Sequence, residues 1–174
     1  MEKYNNYSKQ FKILLAVYIA ALAWVILFKA ATSASDISYL MGVRSVNLIP
    51  FWETAQLNGG IDFSEIINNV IVFIPCGIYI SILCKDLQVY KKILLALMVT
   101  VIFEVLQYIF ALGRSDITDV IGNTLGGALG IGIVGILRKI FADEIKMRKL
   151  VMIIMAGITI AAIGFATILV VANS

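Results

Sequence analysis

Histidine is absent from this chain, and with it go His-bearing zinc sites, His-based triads and His acid/base pairs. No glycine-rich loop of the Walker or Rossmann kind is present, so nothing marks a nucleotide-phosphate cradle. Charge is scarce: Asp, Glu, Lys and Arg make up 14% of 174 residues, against 61% hydrophobic residues and a mean hydropathy of +0.97. Soluble domains carry roughly 45 to 50% apolar residues, so this composition belongs in a bilayer. The alternating ten-residue pattern of a membrane barrel is missing too, which leaves helices as the way to pair backbone amides in lipid. The two cysteines, Cys76 and Cys84, fall on one helical run about 12 Å apart along its axis, whereas a disulfide needs Cα atoms within about 7 Å. They read as buried small apolar residues. No duplicated half or inverted repeat of the transporter kind is evident.

Crossing a hydrocarbon core of about 30 Å takes about 20 residues at about 1.5 Å each. Five runs meet that length: residues 11–28, 66–83, 93–112, 117–137 and 150–172. The fold class expected is all-α, a polytopic integral membrane bundle of five helices. The first run has a rival reading as a cleaved signal peptide, since Lys3, Lys9 and Lys12 precede it and AATSA follows. It is slightly long for a signal core and contains Trp24, which favours a retained helix.

Basic residues favour the cytoplasmic side. Lys3, Lys9 and Lys12 precede the first helix, Lys85, Lys91 and Lys92 join the second to the third, and Arg138, Lys139, Lys146, Arg148 and Lys149 join the fourth to the fifth; the other connections hold Lys29, Arg44 and Arg114. The pattern predicts an N-terminus inside and a C-terminus outside. The net charge of +3 reflects this topology and argues for no nucleic-acid partner.

The intramembrane polar residues collect at one depth. Gln107 is expected about 7 to 8 Å, and Glu104 about 12 Å, below the outer end of the third helix, and Asn123 about 9 Å below the same surface on the fourth. Glu104 and Gln107 share a helix face, as do Asp116, Asp119 and Asn123. Asn68 and Asn69 open the second helix at that surface. The long preceding connection carries VNLIPFWET, where Asn47, Pro50, Phe51 and Trp52 join a turn-prone polar residue to interfacial aromatics. An outward-facing polar pocket walled by helices two, three and four, covered by that connection, is the expectation.

Each feature also has a plainer reading. Ser115 or Asp116 serves as an N-cap of the fourth helix, with Asp119 complementing its dipole. Arg114 serves as an interfacial anchor, and Gln107 and Asn123 as interhelical hydrogen bonds of about 1 kcal/mol each. Glu104 resists such a reading best, because a carboxylate at that depth costs at least about 2.5 kcal/mol to insert; Gln107 and Asn123 are its expected neighbours. Gly122, Gly126 and Gly130 recur every four residues with Gly127 beside them. That small-xxx-small pattern lets another backbone come close, within the chain or in a homo-oligomer.

NLIPF (residues 47–51), NVIVFIPCG (69–77), EVLQ (104–107) and GRSDITDVIGNTLGGALG (113–130) resemble, in order and spacing, the signature segments of the VanZ-like family. The resemblance covers residues 17–138. It implies a bacterial cytoplasmic-membrane protein similar to those that lower susceptibility to teicoplanin and other lipoglycopeptides. The family's polar positions carry over to Asn47, Asn69, Glu104, Gln107, Arg114, Asp119 and Asn123. Cys76 stands where the family more often has a bulky apolar residue. On this basis residues 1–138 form a VanZ-like membrane domain of four helices, and residues 139–174 a cytoplasmic basic linker and a fifth helix.

Three functional readings follow. In the first, the pocket engages a polar lipid head group, a lipid-linked envelope component or the lipoglycopeptide itself, with Arg114 meeting a phosphate; Asn47, Phe51, Asn69, Glu104, Gln107, Arg114, Asp116, Asp119 and Asn123 are its candidate residues. No cofactor is implied. In the second, an enzyme acts on a lipid-linked phosphate or pyrophosphate, with Glu104 or Asp119 as general base and Mg²⁺ between Asp116 and Asp119. In the third, Glu104 couples protons to lipid or small-molecule transport.

Overall fold

The computed structural model describes residues 2–27, 42–51 and 63–172. Five helices carry the chain: α1 (Glu2–Leu27), α2 (Ser64–Leu83), α3 (Val89–Phe110), α4 (Ile117–Ile140) and α5 (Glu144–Ala172). Each contains a segment long and apolar enough to cross a membrane, so each hydrophobic run of the sequence is a helix. Lys29 and Trp52 lie outside the described residues.

Two short strands depart from the all-helical expectation. β1 (Val43–Asn47) and β2 (Leu112–Asp116) pair in parallel, from Val43 opposite Leu112 to Asn47 opposite Asp116. The cause lies at the end of α3. Ala111 takes the left-handed conformation, φ 52° and ψ 46°, and its N–H returns to the carbonyls of Gln107 and Tyr108. Gly113 follows at φ 125°, a value that only glycine adopts without strain. The chain therefore leaves the helix at Phe110 and enters β2. On the β1 side, the Gly42 N–H donates to the Ala111 carbonyl at 2.9 Å and Arg44 Nη2 donates to the Ile109 carbonyl at 3.2 Å. These carbonyls belong to the helix end, which lacks intrahelical donors and carries the negative pole of the dipole. The ladder pairs the backbone of both segments, which would otherwise need other partners.

The chain forms two compact units, residues 41–132 and residues 1–40 with 133–174, divided within α4 between Gly132 and Ile133. In the first, the glycine face of α4 lies against α2. A Cβ on Gly126 would collide with the carbonyl oxygen of Val70, one on Gly130 with that of Ile74, and one on Gly77 with that of Gly127. On Gly122 a Cβ would lie 3.3 Å from Asn69 Cβ, and on Gly127 it would lie 2.6 Å from Ala96 Cβ of α3. The small residues thus bring three helices of one chain together. Phe73, Tyr79 and Ile82 of α2 and Ala96 and Phe103 of α3 are buried in this unit.

In the second unit α1 packs against α5. Met147, Val151 and Met155, spaced by four, are buried, as are Phe11 and Leu22. Asp143 Oδ1 accepts the N–H groups of Ile145 at 2.8 Å and Lys146 at 3.3 Å, an N-cap that starts α5 at Glu144 rather than at residue 150. Arg148 Nε then donates to Glu144 Oε1 at 3.0 Å. Removing the cap with Asp143→Ala is expected to cost about 1 kcal/mol in denaturing-detergent titration. Faster amide exchange confined to the first turn of α5 would accompany it; unchanged exchange there would deny Asp143 the capping role.

Candidate functional site

Glu104 is 7% exposed and sits on the buried face of α3 with Ala96, Thr100, Phe103 and Gln107, a set spaced by three and four. Its Oε2 accepts the backbone N–H of Asp116 at 3.0 Å, and its carbonyl accepts the Ser115 hydroxyl at 2.8 Å. The left-handed turn at Ala111 makes this geometry, because it folds β2 back along the last turns of α3.

Asp116 ends β2 and begins α4. Its Oδ1 accepts the Thr118 N–H at 2.7 Å, the N-cap bond, while its Oδ2 accepts from Asn47 Nδ2 at 2.9 Å. Asn47 is its register partner on β1, so the last rung of the ladder is tied through side chains as well. Asn47 Oδ1 accepts the Ile49 N–H at 3.0 Å, and the Thr118 hydroxyl accepts the N–H of Phe51 at 3.0 Å. Phe51 has φ 62°, a left-handed conformation that costs a bulky residue energy; the Thr118 bond helps hold it. The 48–51 turn is thereby latched to the start of α4.

These elements enclose a cleft of about 250 Å³. Val46, Asn47 and Leu48 line it from β1 and its turn, Val101, Glu104, Val105 and Tyr108 from α3, and Ser115, Asp116, Ile117 and Val120 from β2 and α4. Of the nine candidates, Asn47, Glu104 and Asp116 line it; Phe51, Asn69, Gln107, Arg114, Asp119 and Asn123 do not. No residue of α2 lines the cleft. Asn69 Nδ2 instead donates to Asp119 Oδ1 at 2.7 Å, joining α2 to α4. Arg114 is exposed, and its Nε donates to Ser45 Oγ at 2.9 Å, across the ladder to its register partner.

Asn123 does not meet Glu104 through its amide nitrogen. Its Nδ2 donates to Thr100 Oγ1 at 2.9 Å, and both residues are buried. Thr100 went unnoticed in the sequence, although it lies one turn before Glu104 on the same stripe. Gln107 is buried on that stripe too.

Residues 15–138 match the family model described as VanZ/LLP1. The chain is also 40% identical over 126 residues, 72% of its length and 74% of the relative's, to Protein VanZ of Enterococcus faecium. The chain belongs to the VanZ-like family. No solved structure matches it. The VanZ-like match contains every residue that lines the cleft, both strands and the glycine face of α4, whereas α5 lies beyond it. With five apolar helices, this VanZ-like chain is a multi-pass membrane protein. Among the described residues, no three His, Cys, Asp or Glu side chains gather where they could hold a metal ion.

Proposed function

We propose that this chain is a VanZ-type protein of the bacterial cytoplasmic membrane that lowers susceptibility to teicoplanin and other lipoglycopeptides by binding a polar lipid or lipid-linked envelope component. The cleft carries this reading: its accessible surface is apolar, Asn47, Glu104 and Asp116 stand among the residues behind that surface, and it lies within the family match. Apolar walls with a few convergent polar groups are what a small amphiphile's site requires. The distribution of Lys and Arg supports an inside N-terminus. On that topology α3 ends and α4 begins at the outer surface, so the cleft opens in the outer leaflet, where a lipid-anchored drug also resides.

The reading is one of binding. Ser115, the aliphatic hydroxyl in the cleft, donates to the Glu104 backbone carbonyl rather than to a side-chain base that would activate it as a nucleophile. Teicoplanin carries an acyl anchor and vancomycin does not, so growth inhibition by the two drugs tests the proposal. Wild type, expressed in a susceptible Gram-positive host, is expected to raise the inhibitory concentration of teicoplanin severalfold and leave vancomycin unchanged. At matched membrane levels, Glu104→Gln and Val105→Trp, which alter the cleft from behind its surface and at its wall, are expected to return it to the host's value. Protection by both variants equal to wild type would remove the cleft from the mechanism. Arg114→Ala separates two arrangements: it keeps protection if the cleft alone works, and loses it if the guanidinium meets a phosphate.

A further inference from the structure

We infer that the cleft holds part of one acyl chain of a membrane lipid, entered sideways from the bilayer, and leaves the head group outside. The inference rests on the cleft being the binding site proposed above and names the part of the lipid that it takes.

The first observation is where the polar groups point. Asn47 uses both amide atoms within the protein, Nδ2 on Asp116 and Oδ1 on the Ile49 N–H. Asp116 gives its other oxygen to the Thr118 N–H. The Ser115 hydroxyl is turned to the Glu104 carbonyl, and Glu104 Oε2 accepts the Asp116 N–H while Oε1 is buried. What remains accessible in the cleft is apolar. A charged or hydrogen-bonding head would lose water there and meet no accessible polar atom in return, which is costly. Glu104 and Asp116 thus hold the wall in place rather than meet the guest.

The second is what such a surface can be filled with. An ordered water needs about two to four polar partners, and the accessible lining supplies none. Left empty, the cleft would forfeit the dispersion contacts of its lining atoms. Hydrocarbon meets both conditions.

Continuity with the lipid is the third. Val101 and Val105 line the cleft and are exposed, at 43% and 49%, on a helix apolar enough to span the membrane. Val46 and Leu48 line it from β1 and its turn and are exposed as well. The Thr118 bond to Phe51 ties that turn to α4. With exposed apolar side chains from both elements, the cleft is continuous with the surface that lipid covers. Lipid chains are as apolar as these side chains, so no hydrophobic transfer drives entry; the gain is dispersion contact with several walls at once. A cleft of about 250 Å³ is smaller than the roughly 300 to 1,000 Å³ that encloses a drug-sized molecule, so it takes part of one chain.

The test uses the full chain in phosphatidylcholine nanodiscs with two phosphatidylcholine probes, one bearing a diazirine midway along an acyl chain and the other bearing it on the head group. After photolysis, labelled residues are located by mass spectrometry. Val120 lines the cleft from α4, and Ile67 of α2 stands at the same distance from its helix start without lining it. Ile67 is the more exposed of the two, so labelling that merely followed exposure would favour it. The chain probe is expected to label Val120 about threefold more than Ile67, and the head probe to show no such excess. Val105→Trp, which fills the cleft from an exposed position, is expected to cut the excess about threefold, to parity with Ile67. Leu48→Ala, which trims another exposed wall residue, is expected to cut it about twofold. Labelling of Ile67 should change in neither variant. An excess at Val120 that neither variant alters would overturn the cleft as the place where the chain lies. An excess from the head probe equal to or above that from the chain probe would overturn the chain assignment and leave the cleft a head-group site. An excess from neither probe would overturn both this inference and the proposal beneath it.

Discussion

Gly126→Ala is expected to destabilise the folded chain by about 2 kcal/mol or more, although alanine is the better helix former by about 1 kcal/mol. The added methyl would collide with the Val70 carbonyl oxygen, and a backbone atom cannot swing aside as the end of a side chain can. Either α2 and α4 separate, losing dispersion contacts along their length, or the helices bend. Both responses belong to the overpacking of a close-packed interior. Gly132 supplies the control: it lies on the same helix, and a Cβ there meets nothing within 4 Å among the described residues. Gly132→Ala is therefore expected to be neutral or mildly stabilising. Titration from a mild into a denaturing detergent, followed by circular dichroism, measures both. Equal midpoints for the two variants would mean that the contact between α2 and α4 is not what these glycines serve. The consequence reaches the cleft, because the same packing holds α4, and with it Asp116 and Val120, in place.

Much of this arrangement could be read from the sequence, and the parts that could not share a physical reason. Helices announce themselves locally: an apolar run of about 20 residues has one solution in lipid, and each such run proved to be a helix. The four-residue recurrence of Gly122, Gly126 and Gly130 likewise signals close approach, though not to which neighbour. The β1–β2 ladder was invisible because each strand has five residues, too few to show a period against apolar surroundings. Its partners are also 69 positions apart at the Asn47–Asp116 rung. Periodicity tells which face of an element is buried and nothing about what meets it. For the same reason Glu104, Gln107 and Asn123 could be placed at one depth, yet the partner of the Asn123 amide turned out to be Thr100. The start of α5 escaped differently. Hydropathy marks where lipid begins, whereas Asp143 caps a helix that begins a turn and a half earlier on polar residues.

Asp116→Ala is expected to lower stability by about 2.5 to 4 kcal/mol, the sum of a lost N-cap at about 1 kcal/mol and a lost bond to a charged acceptor at about 1.5 to 3 kcal/mol. The first term falls on Thr118 and the second on Asn47. The two can be separated by a double-mutant cycle. Asn47→Ala alone removes the cross-strand bond and the turn bond to Ile49, and leaves the cap. If the Asn47–Asp116 bond joins the strands, the double variant loses less than the sum of the single ones, by about 1 kcal/mol or more. Strict additivity would mean that the two side chains do not interact. Amide exchange should rise across Val43–Asn47 and at Phe51, which Thr118 holds at the same helix start. Glu104 responds differently to this substitution than to its own. Its partner at residue 116 is the backbone N–H, which alanine retains, so Asp116→Ala loosens the wall formed by β1 without directly stripping Glu104 of that bond. A cleft that works through Glu104 should therefore keep part of its binding in Asp116→Ala and lose it in Glu104→Gln, whereas a cleft that needs both carboxylates should lose binding in either.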